Sequence, residues 1–263
     1  MRTDAELIAA LDHAGEVLLT EMCERVPGAR VERPDGLILA IGAVPSPVIV
    51  NTIETTRSGV GIAAIDAALA RYEAEGKHPS IMSRDHADLP LEPQLEAAGW
   101  HLEISLPGMV VESRLPERAP AEGVTFHRVE TERDRERFVT ACLAGFAGDD
   151  DAFREGVSSA FSTLESLVGD PVTGYYAMVD GQAAACALSC TDLDAGMGVV
   201  GWVGTDPAFR RRGLGSAVTV LATNACFDLG ATAVGLQASP MGFPIYQALG
   251  YRTFTGYKVW FRP

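Results

Sequence analysis

One segment restricts the fold of this chain more than any other. Met197–Thr205 reads as a strand and Leu214–Leu229 as a helix, and the turn between them ends in Arg210-Arg211-Arg212-Gly213-Leu214-Gly215. A helix that opens directly after a strand presents unpaired backbone N–H groups and a partial positive charge, which together bind phosphate oxygens. Gly213 and Gly215 let the backbone come close to a ligand. The arginines add charge for phosphates, and Ser216 adds a hydroxyl donor. Two commoner phosphate loops are excluded. G-x-x-x-x-G-K-[ST] needs a lysine that is absent here, and G-x-G-x-x-G needs a third glycine where Val218 stands.

The elements around this turn define an α/β domain with a mixed sheet. A strand at Val124–Arg128 precedes helices over residues 131–146 and 152–167. Val172–Val179 and residues 183–190 form a hairpin about Asp180-Gly181, and Met197–Thr205 follows. After the helix that Gly230 ends come a buried strand over 233–238, a short helix Phe243–Leu249 closed by Gly250, and a final strand or pair of strands over 251–261. The order is β-α-α-β-β-β-α-β-α-β.

Composition narrows the function classes. The chain has 263 residues, 47% hydrophobic and 21% charged, which is globular and long enough for one large domain or two small ones. No apolar run approaches the roughly 20 residues of a membrane helix, and the first eleven residues carry Asp4 and Glu6 with no long apolar core. The expectation is a cytoplasmic protein with no membrane partner. A net charge of −14 argues against nucleic acid and is compatible with an amine partner or with solubility alone. The five cysteines (Cys23, Cys142, Cys186, Cys190 and Cys226) contain no C-x-x-C pair and read as buried thiols, so no metal is expected.

Val203, Pro207, Arg210, Gly213 and Gly215, followed by Tyr246-x-x-x-Gly250-Tyr251, resemble the GNAT superfamily of acyl-CoA-dependent N-acetyltransferases. The family pattern is R/Q-x-x-G-x-G/A at a strand–helix turn, then a tyrosine with x-x-x-G-F about thirty residues on. Tyr251 stands here for the phenylalanine. The resemblance covers about residues 124–263. It implies that acetyl-CoA is the co-substrate, with its pyrophosphate on the backbone amides of Arg211, Arg212, Gly213, Leu214, Gly215 and Ser216. Val203, Gly204 and Thr205 would pair with the pantetheine arm where the sheet splays, and Ser239 would face it from the neighbouring strand. Tyr246 matches the position that protonates the departing thiolate. Many members place a glutamate base on the strand before the loop, but Met197–Thr205 contains no carboxylate. Asp192, Asp194 and Asp206 read as turn residues, so no base is assigned.

The first half echoes the second. With Gly99 matched to Gly250, Pro93 pairs with Pro244, Leu95 with Tyr246, Ala97 with Ala248 and Trp100 with Tyr251. Upstream, Thr56-Arg57-Ser58-Gly59-Val60-Gly61 echoes the Arg210 loop, with Thr56 in place of the leading arginine. Residues 113–123 are polar, hold Pro116 and Pro120 and read as a linker. The expectation is two GNAT-like domains, each a mixed central sheet flanked by helices. Residues 1–115 would be a degenerate, structural copy and residues 122–263 the catalytic one.

The expected activity is acetyl transfer from acetyl-CoA to a small-molecule or protein amine. The alternative is a non-catalytic acyl-CoA-binding sensor, which the missing glutamate favours. The acceptor would be shaped by the last strands and by residues 146–153, which hold Asp149, Asp150 and Asp151 and are read as facing water. A homodimer is compatible with the pattern.

Overall fold

Thr3 starts the first helix with a reciprocal cap. Its Oγ1 accepts from the Glu6 N–H at 3.3 Å, and its own N–H donates to Glu6 Oε2 at 2.7 Å. The helix, α1 (Asp4–Glu24), buries Leu7, Leu11, Ala14 and Met22 along one side. The elements of the first half follow as β1 (Arg30–Glu32), β2 (Leu37–Ile41), β3 (Asn51–Thr55), α2 (Ile62–Glu73), β4 (Ser80–Arg84), α3 (Glu92–Ala97) and β5 (His101–Val111). The second half runs β6 (Val124–Arg128), α4 (Glu132–Phe146), α5 (Asp151–Ala160), β7 (Val172–Val179), β8 (Gln182–Asp192), β9 (Met197–Thr205), α6 (Leu214–Leu229), β10 (Ala233–Gln237), α7 (Phe243–Leu249) and β11 (Arg252–Phe261). This computed structural model describes residues 2–45, 51–117, 119–146 and 150–262. Met1, Arg118, Asp149 and Pro263, which enter the sequence reading, lie outside them.

The second half has the element order read from its sequence, and the turns show why. Asp180 (φ 48°) and Gly181 (φ 83°) both take the left-handed region that a two-residue hairpin requires. Gly230 (φ 109°) and Gly250 (φ 102°) end α6 and α7 in the same region. One element differs. The helix expected over 152–167 stops at Ala160 and resumes as a 3₁₀ turn, Leu164–Leu167. Tertiary contacts break it: Phe161 packs edge-on against Phe138 and Trp202, and the Thr163 hydroxyl donates to the Arg25 carbonyl at 2.9 Å.

The halves repeat one another. Each contains three strands, a helix, a strand, a short helix and a long strand in that order. In each, the third and fourth strands of the series run parallel, β3 beside β4 and β9 beside β10. Pro93 and Pro244 both start the short helix, and Gly99 (φ 83°) repeats the left-handed stop of Gly250.

Among the described residues the two sheets join edge to edge into one of eleven strands, β1-β2-β3-β4-β11-β5-β10-β9-β8-β7-β6. The long last strands are exchanged. β11 lies beside β4, pairing Tyr257 with Arg84 and Trp260 with Ile81. β5 lies beside β10, pairing Val111 with Val234 and Met109 with Leu236. Core residues follow: Trp260 packs in the first-half core with Trp100, Leu95 and Ile53, while Met109 and Val111 pack in the second-half core. The helix α1 crosses the seam, where Leu7 and Leu11 meet Val110, Val199 and Tyr257.

Candidate active site

The parallel pairing of β9 and β10 ends early. Met197, Gly198 and Val199 pair with Ala233, Val234 and Gly235, and beyond that point β9 continues to Thr205 without a partner on that side. Its backbone groups are therefore free for an extended ligand. On its other side β9 carries a bulge, because Cys186 faces Gly204 while Leu188 already faces Gly201. Trp202 sits in the bulge at φ 55°. Its ring turns onto Phe161 and Phe146, and its indole N–H donates to Met22 Sδ at 3.4 Å.

The end of α4 closes down on the same stretch. A Cβ at Gly145 would stand 2.8 Å from Thr205 N and 2.9 Å from Gly204 Cα, so only glycine fits this crossing. Arg210 fastens it. Its Nε donates to the Thr205 carbonyl at 3.1 Å and its Nη2 to the Gly145 carbonyl at 3.3 Å. The leading arginine thus builds the loop; all three arginines are exposed, and Arg212 lies over the Phe209 ring.

Asp206 caps the 3₁₀ turn Pro207–Phe209 by accepting from the Ala208 N–H at 2.8 Å. Arg211 (φ 63°) and Gly213 (φ 78°) then reverse the chain into α6. The bond from Ala217 N–H to the Gly213 carbonyl opens the helix, which leaves the N–H groups of Leu214, Gly215 and Ser216 at its mouth. Nothing lies within 4 Å of a Cβ at Gly213, while one at Gly215 would press on Thr205 Oγ1 at 3.1 Å. The loop is a cradle with open space before it.

Tyr246 is buried under α7 with its ring against Gly242, where a Cβ would stand 2.7 Å from it. Burial pushes its phenol up to about 12, and its hydroxyl has no hydrogen-bond partner among the described residues. At neutral pH the group therefore keeps its proton. Ser239 Oγ accepts from the Gly242 N–H at 3.1 Å and starts α7.

Asp192 accepts from the Asp194 and Ala195 N–H groups and holds a turn, as its spacing suggested. Asp150 caps α5 through the Phe153 N–H at 3.0 Å, and it and Asp151 are exposed. All five cysteines are buried and free. Among the described residues no cluster of His, Cys, Asp and Glu suits a metal, and no helix is long and apolar enough to cross a membrane.

The equivalent features of the first half are filled. Asp88 bridges β3 and β4, with Oδ2 accepting from the Thr55 hydroxyl and, at 2.9 Å, from the Arg84 N–H. A side chain thus occupies the gap that β9 and β10 leave open. The N–H of Ile62, at the start of α2, donates to Gln94 Oε1 at 3.2 Å, and Arg57 is paired with Asp35. Leu95 fills the place of the tyrosine and is fully buried. The loops do not superpose residue by residue: residues 56–61 are two fewer than residues 206–213, and the left-handed glycine lies three positions before α2 but one before α6.

A cavity of about 540 Å³ opens between the halves, beneath α1. Val199, Val200, Gly201 and Trp202 of β9 line one side, with Ser239 and Phe146, and Glu54, Thr55, Met82 and Arg84 of β3 and β4 line the other. Of the residues singled out from sequence, only Ser239 and Phe153 reach this cavity together with Phe146; the Arg210 loop and Tyr246 do not line it. The sequence reading missed Glu54, Glu16 and Asp12. The available signal was a carboxylate inside the otherwise buried strand Asn51–Thr55.

A strand, a glycine loop and a helix thus stand beside an opened parallel pair. Residues 137–251, all within the second half, match the model of the acetyltransferase (GNAT) family. The fold as a whole is similar to a GCN5-related N-acetyltransferase from Kribbella flavida, at 22% identity and a TM-score of 0.71 over 97% of this chain and 95% of that one. A functionally unknown conserved protein from Staphylococcus epidermidis ATCC 12228 is similar at 14% identity and a TM-score of 0.64, over 90% and 95%. A tandem GNAT protein from the clavulanic acid biosynthesis pathway is similar at 14% identity and a TM-score of 0.59, over 94% and 93%. Among curated proteins, none matches the chain.

Proposed function

We propose that the chain transfers an acetyl group from acetyl-CoA to an amine by direct attack on the thioester. The observation that carries this reading is the unpartnered run of β9 after Val199, which leads directly into the open left-handed loop before α6. The N–H groups at residues 211–216 would hold the pyrophosphate, with Arg211 and Arg212 adding charge. Val203, Gly204 and Thr205 would pair with the pantetheine arm as a further strand, and Ser239 would face it.

When bound, acetyl-CoA supplies a thioester whose carbonyl carbon takes the amine nitrogen and whose C–S bond breaks. A backbone N–H near Val203 donates to the carbonyl oxygen and stabilises the charge that develops there. Tyr246 keeps its hydroxyl proton at neutral pH and donates it toward the departing sulfur. No carboxylate lies on β9, so the protons lost by the nucleophile go to water.

The test is thiol release on mixing the protein with acetyl-CoA and an amine panel, repeated with Gly213→Asp. No atom lies near a Cβ at residue 213, and aspartate tolerates the left-handed region. The fold should persist while acetyl-CoA affinity falls at least tenfold by calorimetry. Undiminished affinity in this variant would remove the loop from the site, and absence of thiol release with every amine would favour the binding-only alternative.

A further inference from the structure

The cavity beneath α1 has an apolar body and one acidic end. Its walls include Leu11, Leu18, Met22, Met82, Leu106 and Leu236. At the β3–β4 end the charges do not balance. Arg84 is shared between Asp12 at 2.9 Å and Asp88 at 3.0 Å, and Asp12 also takes bonds from His86 and the Tyr257 hydroxyl. Glu54 on β3 and Glu16 on α1 face the same space, and neither carboxylate has a hydrogen bond or ion pair with any described residue.

Glu54 is half-buried and lines this cavity together with Asp12 and Glu16 of α1, Arg84 of β4 and Tyr257 of β11. A cation placed there would offset the excess negative charge, whereas a neutral or anionic group would leave it or add to it. The reacting centre lies elsewhere, at the free end of β9. In the sheet, β4, β11, β5 and β10 stand between β3 and β9. A positive group seated on Glu54 is therefore not the nitrogen that is acetylated.

Resting on the acetyltransferase reading above, we propose that the acceptor is an amine with a second, distal positive charge on an apolar body, and that Glu54 of the first half holds this distal charge. The half without a coenzyme loop then selects the substrate, and the half with the loop acetylates it. Burial, with Glu16 and Asp12 nearby, pushes Glu54 up to about 7, so its surroundings disfavour a charge that an ammonium beside it would favour.

The test uses the full chain with α,ω-diaminoalkanes of four to twelve carbons, each beside the monoamine of the same length. Calorimetry without acetyl-CoA should show at least one diamine binding about tenfold or more tighter than its monoamine. Glu54→Gln, which keeps the side-chain shape, should abolish that preference. In thiol release the same variant should raise the diamine KM about tenfold and leave kcat within about threefold. Equal binding of diamines and monoamines at every length, or a preference that survives Glu54→Gln, overturns the proposal. Thiol release with diamines whose KM Glu54→Gln leaves unchanged overturns it too, while the acetyltransferase reading stands. Diamine binding that depends on Glu54, with no thiol release, supports the site and overturns the acetyltransferase reading instead.

Discussion

Two side chains carry opposite lessons about ionisation. Tyr246 is held protonated by burial, which suits a donor to a leaving sulfur. Tyr246→Phe keeps the ring packed against Gly242 and removes only the hydroxyl. The expected result is a fall in kcat of about a hundredfold, about 2.7 kcal/mol of barrier, with acetyl-CoA affinity unchanged. A kcat within threefold of the parent would reduce Tyr246 to a packing residue. Glu54 is different because its charge is costly in the folded state. Its carboxyl is pushed from 4.5 up to about 7, so the folded state binds the proton more tightly than the unfolded one. The favourable contribution is fully present below about pH 4.5 and is lost as pH rises through 7. Glu54→Gln should therefore match the parent near pH 4 to 5 and exceed it at pH 8, by up to about 3 kcal/mol. Urea melts at the two pH values check this; a variant no more stable than the parent at pH 8 would contradict it.

At the scale of elements, the reading of sequence succeeded where local chemistry decides. Asp180-Gly181, Gly230 and Gly250 each mark a turn that needs a left-handed backbone, and all three bound their elements as expected. The open loop at Gly213 was legible for the same reason. What was not legible is non-local. The neighbour of β11 is β4 and the neighbour of β10 is β5, and no periodicity along the chain encodes that pairing. Asp88 is a second example. In sequence it is an ordinary acid before Pro90, yet in the fold it spans Thr55 and Arg84 and fills the gap between two strands. The repeat of Gly59 and Gly61 suggested a second loop, but Gln94 takes the Ile62 N–H at the start of α2 and Asp88 fills the gap between β3 and β4. Titration with acetyl-CoA should therefore give one site per chain. A stoichiometry near two would show that these contacts give way.

For the whole molecule, the exchanged strands make the two halves one structure. Trp260 completes the core around Trp100 and Ile53, and Met109 and Val111 complete the core around Leu236 and Val218. A chain cut at residue 121 would leave β4 and β10 with open edges and two cores with missing side chains. Fragments 1–121 and 122–263 made separately should be insoluble or lack a cooperative melt, and co-expression should recover a soluble pair. A fragment that folds and melts cooperatively alone would show that the exchange is dispensable. The same arrangement sets a schedule during synthesis. The partner that fits between β4 and β5 is β11, Arg252–Phe261, which is synthesised only after every element of the second half that precedes it. The first-half sheet thus waits with an unfilled slot until β11 has been made, so this protein should lean on chaperones while its second half is still being synthesised.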